Sequence, residues 1–422
     1  MQPGVSRSPS SFISESQGTR QLALEVVFVA FQSGKRANGG LESLFEIVRR
    51  LQNVRPVLIT QRESEYNDRW RAAGFEVQVW KVPGVVRQRR RGAQRGRRNR
   101  TLLLLNLRML RFLLARRIRV VHCNDGSAMA ITALAARAAG VKILLNIRDT
   151  ALGSRVKWIA YRLLAHQIVV LSSEMRDFVE RTLAVPALLA NFAAPVSFIY
   201  SIVDTERLSP LSAHARVQLR AELGIAPSQF AIAIVGALMP KKQQLELLRH
   251  LVTAEATLPP TIHFYFVGDF TPETDEYSAE CLGVTASSPL QGRVHFVGYT
   301  SDPSSYYRAC DLIMSASRSE GLARSTIESL ACGTPVVAFD FCSAREILEQ
   351  YGAGVVVAQG DFEQLLGEAT LLASDPQRLT MLAQRGVTTA RSLFTAPTAV
   401  SQYEANYLRL AEQANAVRAS GR

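Results

Sequence analysis

The stretch "SASRSEGLARSTIESLACGTPVVAFD", residues 315–340, decides how this chain folds. A strand finishes near Ser315, a short loop follows, a helix begins near Ala323, and a second strand begins at Thr334. The run "PVVAF" is short, apolar and bounded by turn residues, which marks a buried strand. Strand, helix and strand in that succession form one unit of a parallel sheet.

The same rhythm extends outward in both directions. Upstream, "LEVVFVAF" (24–31) predicts a buried strand, and 41–51 predicts a helix with Leu41, Leu44, Phe45, Val48 and Leu51 on one face. "VRPVLIT", "FEVQVW", "RVVHCN", "VKILLNI" and "HQIVVLS" continue the strands, with helices such as 127–139 and 173–182 between them. The rhythm breaks at "SIVDTERLSPLS" (201–212) and restarts with strands in 230–238, 262–269, 293–299, 311–317, 334–340 and 353–358. Two helices follow, near 375–391 and 396–417. The expectation is an α/β chain of two Rossmann-like doubly wound domains facing a central cleft. Ligands of such sheets bind at the carboxyl ends of the strands. The expected divisions are a disordered tail over 1–21, a first domain over 22–202, a second over 203–395, and a last helix over 396–422 that crosses back.

Composition narrows the function. The 422 residues carry a net charge of +13. Residues 1–200 hold 32 Lys+Arg against 13 Asp+Glu, whereas 201–422 hold 17 against 23. The excess belongs to one half, which argues against a uniformly basic nucleic-acid coat. Five scattered cysteines without CxxC or zinc spacing read as reduced thiols of a cytosolic protein. The Ser-rich start has no apolar run and reads as a disordered tail, with no signal peptide expected in it. Residues 182–203 are uncharged but contain Pro186, Pro195 and Asn191, so a loop and a buried strand are expected there, not a membrane span.

The loop and helix of the opening stretch also carry chemistry. On a continuous helix Glu320 and Glu328 would lie ~12 Å apart along the axis and ~80° around it. That is too far for an acid/base pair on one bond, but it suits two carboxylates gripping the ends of a long polyhydroxylated ligand. Between them, the amides of Gly321, Leu322 and Ala323 open the helix and offer a site for a diphosphate. The bland alternative is a solvated loop carboxylate and a helix-surface charge.

"SEGLARSTIE" resembles the E-x7-E element of retaining glycosyltransferases of family 4, which have the GT-B fold. The flanking "VHFVGYTSDPSSYYRACDLIMSAS" and "GTPVVAFDFCSAREILE" are similar to that family's segments on either side, with Glu346 at a family glutamate position. "IYSIVDTERLSP", with Val203 and Asp204, resembles the interdomain passage, and "NGGLESL" (38–44) the N-terminal glycine loop. The resemblance implies sugar at Glu320, diphosphate at the amides and at Lys242, and ribose at Glu328. It places Gly39 and Gly40 against the donor phosphates, where glycine permits close approach and positive φ. It also expects an arginine where this chain has Ala237. Lys241, Arg318, Arg324 or a residue across the cleft are the candidates to replace it. Asn124 stands where many members carry a histidine. Asn124, Arg148 and Asp149 end strands and are candidates for contacting sugar or acceptor. His122 reads equally as packed or functional.

The implied reaction moves a sugar from a nucleotide diphosphate sugar to a hydroxyl of a glycan or lipid-linked acceptor, with retention and without metal or other cofactor. A nucleotide-sugar epimerase, or a non-catalytic nucleotide-sugar or RNA binder, shares the scaffold. The tract "RQRRRGAQRGRRNR" from Arg87 to Arg100 holds eight arginines and no acid, and a strongly apolar helix follows. It reads as peripheral docking to an anionic membrane at the inner face of the cell, where each basic residue contributes ~1 kcal/mol, or as a solvated loop. Without an aromatic residue to stack bases, nucleic acid is disfavoured.

Overall fold

The computed structural model describes residues 23–31, 39–82, 93–286 and 288–420. The expected tail over 1–21 and the arginines at 87–91 lie outside them.

The first sheet has seven parallel strands: β1 (Leu24–Val29), β2 (Val54–Thr60), β3 (Glu76–Val79), β4 (Val120–Cys123), β5 (Lys142–Asn146), β6 (Gln167–Val170) and β7 (Val196–Phe198), in the order β3-β2-β1-β4-β5-β6-β7. Its helices are α1 (Gly39–Val48), α2 (Glu65–Ala72), α3 (Ala93–Ala115), α4 (Gly126–Ala138), α5 (Arg155–Leu164) and α6 (Ser173–Thr182). After α7 (Ala213–Glu222) the second sheet runs through β8 (Phe230–Val235), β9 (Ile262–Val267), β10 (Val294–Gly298), β11 (Leu312–Ser315), β12 (Val336–Phe339) and β13 (Gly354–Val357). Its order is β10-β9-β8-β11-β12-β13, again parallel. The helices α8 (Gln244–Ala254), α9 (Glu276–Ala286), α10 (Ser304–Ala309), α11 (Arg324–Ala331), α12 (Phe362–Ser374), α13 (Pro376–Leu393) and α14 (Ala396–Ser420) complete the chain.

The central strands are apolar on both faces because helices cover both, so β1, β4, β6 and β12 are buried almost throughout. Polar caps set the helix starts. Asp125 accepts from the amides of Ser127 (2.6 Å) and Ala128 (2.8 Å) at α4, and Ser172 accepts from Met175 (3.1 Å) at α6. One expectation is corrected. The strand within 182–203 is not buried: β7 has three half-buried residues, because it is the edge of its sheet.

In each sheet the strand order reverses between a central pair, β1/β4 and β8/β11. The residues that follow β5, β8 and β11 meet between the domains, Lys241 Nζ with Asp149 at 3.2 Å and Thr150 Oγ1 with Ser319 Oγ at 3.1 Å. The chain crosses twice nearby, with the Val203 amide donating to the Phe394 carbonyl at 2.9 Å. Helix α14 then lies on the first sheet, packing Val400, Tyr403, Tyr407 and Leu410 with Phe28, Leu44, Val48 and Leu144.

Candidate functional site

The loop after β8 carries Lys242. Pro240–Lys242 form a single tight turn, and Gln243 takes a left-handed φ of 53° before α8 begins. The Lys242 stem lies across Gly236, and its Nζ donates to Glu320 Oε1 at 2.8 Å. Ser317 Oγ donates to the same oxygen at 3.3 Å, and the Arg318 amide donates to the Lys241 carbonyl at 2.8 Å, joining the two loops. Two residues expected to hold phosphate and sugar therefore form one largely buried ion pair. Glu320 lies in the loop before α11, so the continuous-helix separation from Glu328 does not apply.

Helix α11 opens beside this pair. Ala323 is its N-cap, extended and without a side-chain cap. Among the described residues the amides of Gly321, Leu322 and Ala323 have no protein acceptor. Gly321 is one of the points at which the two domains touch. A Cβ there would fall inside the van der Waals shell of the Arg148 carbonyl oxygen, 2.8 Å from its carbon and 3.1 Å from Met175 Sδ. Ser343 Oγ donates to the Gly321 carbonyl at 2.6 Å and also meets Ser172 Oγ of the first domain.

Glu328 is buried one helical turn into α11, where it pairs with Arg324. Burial opposes the Arg324 charge, but Glu328 outweighs it and holds the guanidinium pKa above its ordinary value. Arg324 Nη1 reaches the first domain and donates to Ser43 Oγ at 3.1 Å. Gly39 and Gly40 are the first residues of α1, not a loop before it. Neither has positive φ. The requirement at Gly39 is space, since a Cβ would stand 3.1 Å from Arg324 Cδ. The N-termini of α1 and α11 thus meet at Arg324.

Asn124, Arg148 and Asp149 extend the site from the first domain. Asn124 Oδ1 accepts from Arg148 Nε at 3.0 Å, while Arg148 Nη2 is buried and has no hydrogen-bond partner among the described residues. Burial, with Arg324 nearby, lowers the Arg148 pKa. Asp149 accepts from Ser319 Oγ (2.6 Å), the Ala151 amide (3.0 Å) and Lys241 Nζ (3.2 Å). Burial raises its pKa, but these donors more than offset that and hold it below the usual range. His122 is packed, not in the cleft: its Nδ1 lies 2.7 Å from Tyr407 Oη, and Phe28 and Tyr403 flank its ring. Burial, then Arg148, lowers its pKa well below the ordinary histidine value. Among the described residues no three His, Cys, Asp or Glu side chains group as metal ligands.

The N-terminal part matches the family described as Glycosyltransferase Family 4 over residues 37–207, and the C-terminal part matches Glycosyl transferases group 1 over residues 216–388. Both halves match glycosyltransferase models, and the fold they form is GT-B. Among relatives of this glycosyltransferase, EpsD of Bacillus subtilis is 26% identical over 284 residues, which cover 64% of this chain and 71% of that protein. The D-inositol 3-phosphate glycosyltransferase of Segniliparus rotundus is 30% identical over 177 residues, covering 40% and 37%. The lipopolysaccharide core biosynthesis mannosyltransferase LpsB of Rhizobium meliloti is 24% identical over 200 residues, covering 47% and 56%. The matched stretch therefore spans about half or less of the latter two. Among solved structures, Anabaena HepE in complex with UDP and glucose superposes with a TM-score of 0.74 at 21% identity, covering 91% of this chain and 99% of that one. Sucrose-phosphate synthase of Thermosynechococcus elongatus gives 0.72 at 16% identity, covering 92% and 99%.

One feature of this glycosyltransferase escaped sequence reasoning. Glu346 accepts from the amides of Ser173 (3.1 Å) and Glu174 (2.8 Å) at the start of α6. Glu174 in turn accepts from the amides of Ser343 (2.7 Å) and Glu346 (3.1 Å). Each domain caps a chain turn of the other, and Ser343 holds a φ of 79° within this exchange. The family position of Glu346 was visible. Its partner was not, because no spacing rule links residues so distant in sequence.

Proposed function

We propose that this glycosyltransferase moves a sugar from a nucleotide diphosphate sugar to a hydroxyl of a glycan or lipid-linked acceptor, retaining anomeric configuration. The observation that carries this reading is the Lys242–Glu320 pair seated at the unpaired amides that open α11. A helix N-terminus and an ammonium favour a diphosphate, and a carboxylate beside them favours sugar hydroxyls. HepE, crystallised with UDP and glucose on the same fold, supports the donor class, and LpsB, named for lipopolysaccharide core synthesis, supports a cell-surface glycan.

In the reaction the bond between the anomeric carbon and the phosphate oxygen breaks, and the acceptor oxygen bonds to that carbon on the same face. The acceptor proton passes to the leaving phosphate. Lys242 and the amides of Gly321, Leu322 and Ala323 neutralise the charge that gathers there. They are fixed before reaction, which is when such donors are most effective. Glu320 orients Lys242 and binds the sugar; Glu328 binds ribose. Gly39 and Gly40 let the first domain approach the phosphates. Arg324 and the buried Arg148 supply the cation that Ala237 lacks. Asn124 and Asp149 border the acceptor. No step needs a metal, and activity is expected to survive chelation. We place the enzyme in the cytoplasm at the inner face of the membrane.

Incubation with a nucleotide sugar and acceptor, followed by NMR of the anomeric proton, tests the reading. The expected product has the donor's anomeric configuration and forms only with acceptor. An inverted product, or an epimerised nucleotide sugar formed without acceptor, would contradict it.

A further inference from the structure

The charge imbalance is not used by the site. Between Glu76 and Glu174 the chain has 20 Lys+Arg and only two acids, Asp125 and Asp149. Both acids are engaged, Asp125 in capping α4 and Asp149 in the contact with Lys241. Helices α3, α4 and α5 of this segment pack side by side as one layer.

Helix α3 turns one face to this core and another outward. Leu105, Met109 and Leu113 are buried, whereas Leu103 (57%), Leu104 (58%), Leu107 (48%) and Leu114 (54%) are exposed. At ~100° per residue the exposed leucines share one arc with Arg97, Arg100, Arg108 and Arg111, all exposed. Arg108 lies over the Trp80 ring at 4.3 Å. Among the described residues Arg97, Arg100 and Arg111 have no carboxylate partner, unlike Arg116, which pairs with Glu25 (2.9 Å) and Glu76 (2.6 Å). The next helices add exposed Leu134 and, with Arg155 and Lys157, exposed Val156.

We propose that the outer face of α3, through Leu103, Leu104, Leu107 and Leu114 with Arg97, Arg100 and Arg111, lies in the headgroup layer of an anionic bilayer. Leucines at the acyl boundary and arginines on lipid phosphates describe an interfacial helix. None of the described helices is long and apolar enough to cross a membrane, so α3 lies along the surface. The exposed arc offers no aromatic ring for base stacking, which favours lipid over nucleic acid. The tract over 87–100 reads in sequence as an arginine-rich loop; the structure corrects this from Ala93 onward, where the chain is already helix α3 and sets leucines beside the arginines.

The placement also orients the enzyme. In a parallel sheet the helices run opposite to the strands, so α3 begins at the carboxyl ends, where the site lies. Docking on this face brings the mouth of the cleft beside the bilayer. A lipid-linked acceptor then reaches the cleft without leaving the membrane, a consequence that rests on the proposed transfer reaction.

Vesicle co-sedimentation of the full chain without substrate separates the two ideas, because it requires no catalysis. The vesicles are phosphatidylcholine alone, or phosphatidylcholine and phosphatidylglycerol in equal parts. The expected result is binding to the anionic vesicles only. Leu103→Ser/Leu104→Ser/Leu107→Ser and Arg97→Gln/Arg100→Gln/Arg111→Gln should each weaken it by about ten-fold or more, with circular dichroism unchanged. In a Leu104→Trp variant, brominated lipid should quench the indole emission. The proposal is overturned by equal binding to neutral vesicles, unchanged binding by either variant, no quenching, or capture of a homopolymeric RNA in place of vesicles. A wild-type dimer that fails to bind vesicles and that the leucine variant splits would overturn it in favour of a second copy.

Discussion

Lys242→Met is expected to lower kcat by about 10²–10³, since one preorganised donor at the developing charge is worth ~3 kcal/mol. Methionine keeps an unbranched stem across Gly236 and removes only the ammonium. The ammonium stands 2.8 Å from Glu320 and retains further donors for a phosphate. The charge on the leaving diphosphate grows as the glycosidic bond breaks, so the loss should fall mainly on kcat. Removing Lys242 also leaves Glu320 without its partner. Lys242→Met/Glu320→Gln controls for that strain and should be as inactive, with normal circular dichroism. Turnover near that of the parent enzyme in Lys242→Met would count decisively against the assigned role.

Gly321→Ala should be nearly as damaging through geometry alone. Its carbonyl is held by Ser343, and its Cα faces the Arg148 carbonyl of the other domain. A methyl group has backbone in front of it and a pinned peptide behind it, so the start of α11 must shift. A displacement of ~1 Å in a positioning element can cost about 10²-fold in rate, and overpacking costs about 1–3 kcal/mol of stability. Steady-state kinetics with chemical denaturation should show both effects. Normal activity would mean that the domains separate here without consequence.

Much of this arrangement was legible in the chain. Runs such as "LEVVFVAF" and "TPVVAFD" carry their own strand signal, because both faces are buried in a parallel sheet. The opening of α11 was legible for the same local reason. Pairings across the chain were not. Lys242 and Glu320 were each singled out, but nothing local says that they share a hydrogen bond. The exchange between Glu174 and Glu346 depends on how two domains close. His122 sits at a strand end next to Asn124, and only the return of Tyr403 and Tyr407 on α14 shows that it is buried. The leucines of α3 read as an apolar helix, and packing against α4 decides which of them face outward.

The central claim is that Lys242 and the opening of α11 hold a nucleoside diphosphate. A thermal-shift panel of nucleoside monophosphates, diphosphates and diphosphate sugars tests it, because a ligand at 100 times its Kd adds ~2.7 kcal/mol to stability. The diphosphates and diphosphate sugars of one base should raise the midpoint far more than its monophosphate, and Lys242→Met should lose most of the difference. No stabilisation by any diphosphate, or an equal response to monophosphate and diphosphate, would contradict it.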